Sequence, residues 1–428
     1  MIDQKFEAAV GMSRKWDARE AGREVAETAI QKLNRPPDFF LLFSTIHYEK
    51  HGGFQEFLNG VWDVLPKGTP LVGGTVAGFI NPEGCYTRGA TGLAVTYSNI
   101  KVAVGIGRNT GRWPKLAGRK CAKKIQDELK KTNYRNLLCI DFISGVTMPT
   151  IPGMPRIVVL KNRILAQMSL ALLKISTIVF QKGVAREENV LKELLNALGN
   201  NTYVFGGSTV DNNVFARSYQ FFNDKVVKNS IVTLAIATDK RPQIRSAHGF
   251  ELTDQKFKKI KLTAWNRMIK KIDGEPAVKK YLDTLNWSED LIDERTFHRR
   301  LIFNPLGAKD EEGFIHPFVP GAFLGNDYVT GCPIVNDEVG ILKASGLNLI
   351  SAVTQVVDQI NQNEDFFLFT SCASRLETLG ANEFQTQKII SEKIKKPFLL
   401  VYTTGENYYL PGKTIKNLEI TFNSLSLS

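Results

Sequence analysis

At 428 residues, with 43% hydrophobic and 23% charged side chains, the chain is too long for one ordinary core and far from a disordered or collagen-like composition, so two domains are predicted. Its 55 Lys and Arg against 43 Asp and Glu give a net charge of +12, but the basic residues fall in short groups interleaved with apolar ones, as on solvated faces, and no nucleic-acid partner is expected. Five cysteines without a CxxC pair or a secretory leader exclude a disulfide scaffold and point to reduced thiols in a cytoplasm.

Residues 1–36 carry charges throughout and read as one amphipathic N-terminal helix. The run Asp38 to Thr45 is short, aromatic and ends in small hydroxyl residues, which predicts a buried strand. Apolar residues at Phe54, Phe57, Leu58, Val61, Trp62 and Leu65 then have helical spacing, and Pro70-Leu71-Val72 opens a second strand. The same strand-helix-strand order recurs with Asn136 to Phe142, Glu187 to Leu198 and Thr202 to Phe205. Val72-Gly73-Gly74-Thr75 matches Phe205-Gly206-Gly207-Ser208, and each glycine pair is expected to turn the chain after a strand. Between the second copy's first strand and its helix lies an apolar excursion, about 147–184. Its segment Ile164 to Gln181 is too short and too polar to span a bilayer; it reads as a buried helix or as an interfacial one in contact with a membrane surface.

A boundary is placed at Phe250, giving domains 37–250 and 251–428. The stretch Ala277 to Leu285 reads as a short helix, Leu301 to Ala344 as strands and turns, and Leu347 to Asn361 as an amphipathic helix. Asp365 to Cys372 closely resembles Asp38 to Thr45 and starts a further copy, closed by Pro397 to Val401. The fold class is therefore α/β (α+β), with pseudo-duplicated strand-helix-strand units in mixed sheets.

The GGT and GGS segments, Ala247-His248-Gly249-Phe250, and Ile272 to Ala277 resemble the N-terminal module of the FIST family. Asn304 to Gly307, Ser371 to Arg375 and Tyr402 to Glu406 resemble its C-terminal module. The resemblance implies a sensory module that binds small molecules such as amino acids, with haem-binding nitric oxide sensors among its members. No kinase, cyclase or methyl-accepting output domain is read in the sequence, so a signal is expected to pass through a separate partner or through the excursion at about 147–184.

For a small zwitterion, Arg375 and Glu406 are the candidate ligands, because each follows a buried strand in a small-residue loop and together they offer a cation and an anion. The alternative is that they brace each other. Cys372, Thr75 and Ser208 are the accompanying candidates. His248 is the haem ligand if haem is bound; otherwise no cofactor and no metal are expected. His47 and His51 have helical metal-ligand spacing but lack the rest of a zinc motif. A Cys372 nucleophile with His248 as base is the enzymatic alternative, and the expectation is that the chain is not an enzyme.

Overall fold

An apolar strand such as Phe39–Ser44 is buried along its whole length, so its backbone groups are satisfied only by neighbours on both edges. The computed structural model, which describes residues 6–130, 133–148, 158–263, 265–293 and 296–428, meets that need with three six-stranded mixed sheets of identical plan. In the first, Phe39–Ser44 runs parallel to Leu71–Thr75 and antiparallel to the return strand Ala90–Tyr97, which pairs in turn with Phe6–Ser13. In the second, Asn136–Ser144 runs parallel to Thr202–Thr209, with Ser230–Thr238 and Ile100–Arg108 beyond it. In the third, Asp365–Cys372 runs parallel to Phe398–Thr403, with Phe422–Leu427 and Pro242–Ala247 beyond it.

The free edge of each parallel pair is closed by a hairpin from a different unit. Gln220–Phe222 of the second unit pairs with Leu71–Thr75, Glu406–Tyr409 of the third with Thr202–Thr209, and Phe79–Asn81 of the first with Phe398–Thr403. The exchange is cyclic and leaves none of the three second strands as an open edge. The inner faces of the sheets meet in one core, where Phe43 lies edge-on to Phe142 and Phe39 to Phe366 at centroid separations of 4.8 and 5.9 Å. Two helices cover the outer face of each: Ala18–Ile30 with Phe54–Trp62, Pro114–Leu129 with Glu187–Leu198, and Gly346–Asp358 with Phe384–Lys393.

Three expectations are corrected. Residues 1–36 are not one helix: Phe6–Ser13 is a strand in eight-residue register with Ala90–Tyr97, and the helix begins at Ala18 behind an Asp17 cap. Only Glu7 is charged between residues 6 and 13, so this stretch can fill a sheet edge. The boundary at residue 250 is crossed by strand pairs of the second and third sheets; the separate body is the segment between Glu251 and Lys343, two further sheets of short strands with their own core, inserted into the third unit. The glycine pairs are not turns but lie inside strands. A Cβ on Gly206 would sit 1.9 Å from the Asp141 carbonyl oxygen, and one on Gly74 would sit 2.5 Å from that of Tyr219, so close backbone approach excludes a side chain.

Of the excursion at 147–184, residues 149–157 lie outside the described residues. Val159–Leu160 adds in parallel to Pro320–Leu324 of the inserted body, and Arg163–Phe180 forms a helix whose last turn is π-helical and which, against expectation, is long and apolar enough by length and composition to cross a membrane.

Candidate functional site

The exchanged hairpins place three positions in equivalent backbone environments at the carboxyl ends of the parallel strands. Thr75 N–H donates to Tyr219 O at 2.9 Å, Ser208 N–H to Gly405 O at 2.8 Å, and Tyr402 N–H to Gly78 O at 3.0 Å. In return, Val210, Thr404 and Ala77 donate to the carbonyls of Thr75, Ser208 and Tyr402 at 3.0, 3.1 and 3.1 Å. Thr75 and Ser208 were legible as a pair in the sequence. Tyr402, the third member, was missed because its strand replaces the glycine pair with Leu400 and Val401.

The three side chains differ in how they are satisfied. Thr75 Oγ1 accepts the Tyr219 N–H at 3.1 Å and is sealed within the first sheet. Ser208 Oγ donates to Glu187 Oε1 at 2.7 Å; Glu187 starts its helix and is buried with Arg267, whose Nη2 lies 3.5 Å from Glu187 and 2.6 Å from Glu188. Burial raises the Glu187 carboxyl above its ordinary range, while the Arg267 charge pulls it down. Neither Glu187 nor Arg267 stood out in the sequence, because a charged residue facing a helix start 80 positions away leaves no local pattern.

Glu406 lies across the strand pair from Gly207 and is fully buried. Its Oε2 accepts from Thr421 Oγ1 at 3.0 Å, and its Oε1 from Thr403 Oγ1 at 3.2 Å. Burial pushes it up to about 8, and Glu419, close enough to repel it, stands at about 7 for the same reason. Burial thus favours the protonated form of Glu406. Arg375 is also fully buried, but no ion pair to Glu406 occurs among the described residues; its Nη2 donates to Leu349 O at 2.7 Å. The structure therefore does not join Arg375 and Glu406 as a bracing pair.

The anion nearest in effect to Arg375 is Glu383, at the end of a short 3-10 turn and 1% exposed. Arg375 Nε and Nη1, both Glu383 carboxylate oxygens, the Tyr402 hydroxyl and Thr386 Oγ1 are all buried without a hydrogen-bond partner. The cation and the anion attract each other, but no ion pair or hydrogen bond joins them, and the Tyr402 hydroxyl lies within electrostatic reach of Glu383. Burial works against the Arg375 charge and pushes the Tyr402 phenol well up. Cys85, half-buried on the exchanged hairpin, borders this group. Cys372 is buried in a separate apolar cluster with Phe250, Leu349 and Ile420, and burial raises its thiol well above the ordinary range, so it is a neutral thiol.

His248 lines a cleft of about 490 Å³ between the Ala247 to Phe250 turn, the Gly313 to Ile315 loop and the helix Gly346–Asp358. Its Nδ1 accepts the Phe250 N–H at 2.9 Å, and burial lowers it to about 4. A neutral imidazole has one lone-pair nitrogen, and here that nitrogen is occupied, so His248 does not fit an axial haem ligand. No hydrogen bond joins it to Cys372 among the described residues. His47 Nδ1 is held by Thr45 Oγ1 at 3.1 Å and His51 stacks edge-on to Trp16; no group of three or more metal-ligating side chains occurs among the described residues.

Comparison with known proteins gives a family but no activity. The chain is 26% identical over 250 residues to an uncharacterized protein of Methanocaldococcus jannaschii, across 55% of this chain and 46% of that protein, so it spans about half the length of the curated relative it matches. The crystal structure of a cyanuric acid hydrolase from A. caulinodans aligns with 55% of this chain and 72% of its own at a TM-score of 0.28 and 8% identity, too slight a likeness to carry any argument. The FIST N domain matches residues 38–275, more than half the chain. That match places the chain in the FIST family, whose domains are generally regarded as small-ligand sensing domains.

Proposed function

We propose that the chain is a non-enzymatic sensing module for a zwitterionic amino acid or similar small polar molecule, held between Arg375 and Glu383 and reported to a separate signalling protein. One observation carries the reading: a buried guanidinium with two unsatisfied donors lies within electrostatic reach of a buried carboxylate that has no hydrogen-bond partner, and a buried phenol hydroxyl lies beside that carboxylate. Leaving such groups unsatisfied costs about 1–3 kcal/mol each, and more when they are charged. A braced core would close the gap into a salt bridge, whereas an α-carboxylate on Arg375 and an α-ammonium on Glu383 satisfy both ends. The reading keeps Arg375 from the sequence argument, exchanges Glu406 for Glu383 and adds Tyr402.

A thermal-shift screen of amino acids on the wild-type chain, followed by calorimetry on Arg375→Met and Glu383→Gln, tests it. A charge-assisted contact of about 1.5–3 kcal/mol corresponds to a loss of roughly 10- to 150-fold in affinity for each variant. If no amino acid stabilises the wild type, or both variants bind as the wild type does, the assignment fails.

A further inference from the structure

Helix Arg163–Phe180 is mounted with its more apolar face outward. The side turned to the protein carries Ala166, Ser176 and Thr177, all buried, whereas Ile164, Met168, Leu172, Ile175 and Phe180 are 71, 56, 62, 53 and 67% exposed. Eight of the sixteen large apolar side chains exposed among the described residues belong to these eighteen residues. A surface helix normally shows the reverse arrangement.

The surroundings indicate what covers that face. From Phe142 to Arg186 the sequence has six Lys or Arg and no Asp or Glu. Beneath the first half of the helix, a cleft of about 280 Å³ is lined by Arg163, Lys261, Lys270 and Lys271, with Asp327 as its one acid. The lysines are exposed, and Lys174 sits at the margin of the apolar arc, where its stem can lie along the apolar surface with the ammonium in the headgroup layer. A second copy of the chain would bring the same basic rim against itself; an anionic bilayer complements it.

The helix is held flat rather than set upright. Just before it, the Gly325 N–H donates to Leu160 O at 2.6 Å; near its far end Arg112 Nε donates to Ile178 O at 2.9 Å, and Thr147 bridges to Gly183 beyond it. Both ends are thus tied to the folded body, about 27 Å apart for eighteen residues of helix. We propose that this face docks the protein on an anionic phospholipid surface, the apolar arc entering the acyl boundary while the cleft of Arg163, Lys261, Lys270 and Lys271 takes lipid phosphates.

Co-sedimentation of the full chain with phosphatidylcholine vesicles, with and without phosphatidylserine, tests the proposal against two variants at exposed positions, Leu172→Ser/Ile175→Ser and Lys270→Ala/Lys271→Ala. Binding is expected to require phosphatidylserine and to weaken with salt. Each lysine removed should cost about fivefold in affinity, and each apolar side chain roughly tenfold or more. Far-ultraviolet circular dichroism and unfolding midpoints unchanged from wild type would show that the variants remain folded; if either variant unfolds, Leu172→Gln or Lys270→Gln alone replaces it. Absence of binding, equal binding to neutral vesicles, or variants that bind like wild type would overturn the proposal. So would a wild-type dimer in sedimentation equilibrium that Leu172→Ser/Ile175→Ser dissolves without any vesicle binding, since the occupant would then be a second copy.

Discussion

Glu406→Gln tests the description of the ends of the second and third sheets through its dependence on pH. The carboxyl is fully buried, accepts hydrogen bonds from Thr403 and Thr421, and stands at about 8 in place of 4.5. Its affinity for a proton is therefore higher in the folded chain than in the unfolded one. Between about pH 5 and pH 8 the native state holds protons that the unfolded state releases, so stability is fully present below this window and falls as pH rises through it. Each tenfold change in proton affinity is worth about 1.4 kcal/mol, which makes the loss from Glu406 at most roughly 5 kcal/mol by pH 9. Glu419, raised to about 7, adds a loss of the same sign over a narrower window, and because the two acids repel they titrate together. A glutamine resembles the protonated acid in shape and accepts from Thr421 through its amide oxygen. Urea unfolding from pH 5 to pH 9 should therefore show the variant within about 1 kcal/mol of wild type at pH 5 and more stable by a few kcal/mol at pH 9. A wild-type profile flat across this range, or a variant whose slope matches it, would refute the assignment of a buried neutral acid.

The cyclic exchange of hairpins predicts that residues 344–428 expressed alone will not give a cooperative unfolding transition, because Phe398–Thr403 then loses its Phe79–Asn81 neighbour and Phe422–Leu427 its Pro242–Ala247 neighbour; a two-state melt from that fragment counts against it. Gly206→Ala should destabilise the chain by about 2–4 kcal/mol, through a Cβ 1.9 Å from the Asp141 carbonyl, whereas Gly412→Ala at φ +78 in an exposed turn should cost about 1 kcal/mol; chemical denaturation compares the two. Ellman's reagent at pH 8 should label no more than Cys85 in the folded chain, since the other four thiols are buried, and all five in urea. If an amino acid fills the space between Arg375 and Glu383, its addition should slow the labelling of Cys85, which borders Tyr402 and Glu383; unchanged kinetics under saturating ligand would place the ligand elsewhere.

The strands at Phe39–Ser44 and Asp365–Cys372 and the helix at Glu187–Leu198 were legible because each announces itself within its own residues, by a continuous apolar run or a helical period. The exchanged hairpins were not. Phe79–Asn81 and Phe398–Thr403 are partners more than 300 residues apart, and nothing within either segment distinguishes a hairpin that returns to its own sheet from one that joins another. The same distance separates the residues of the candidate site. Arg375 was found because it follows a strand end in a small-residue loop. Glu383 was passed over because it sits eight residues further on, before an ordinary amphipathic helix, and only the fold turns it inward. The glycine pairs were correctly singled out but given the wrong reason: a strand interior that must touch a neighbouring backbone and a turn that needs a positive φ select the same residue.

The shared backbone plan explains why the three equivalent positions can carry different side-chain chemistry without cost to one another. Each second strand is fixed by two main-chain hydrogen bonds to a hairpin from another unit, and those bonds do not depend on the side chain at Thr75, Ser208 or Tyr402. The side chains are therefore free to differ. A threonine closes the first position on the Tyr219 N–H, a serine locks the second to the Glu187 and Arg267 cluster, and a tyrosine at the third reaches past its own sheet toward Glu383. At the third, Arg375 Nε and Nη1 are without a hydrogen-bond partner, next to a hairpin that belongs to the first unit. A ligand seated there touches the third unit through Arg375 and Glu383 and the first through Cys85. Its binding energy thus falls on a contact between units, where a small-ligand sensor can convert occupancy into a change that a partner reads.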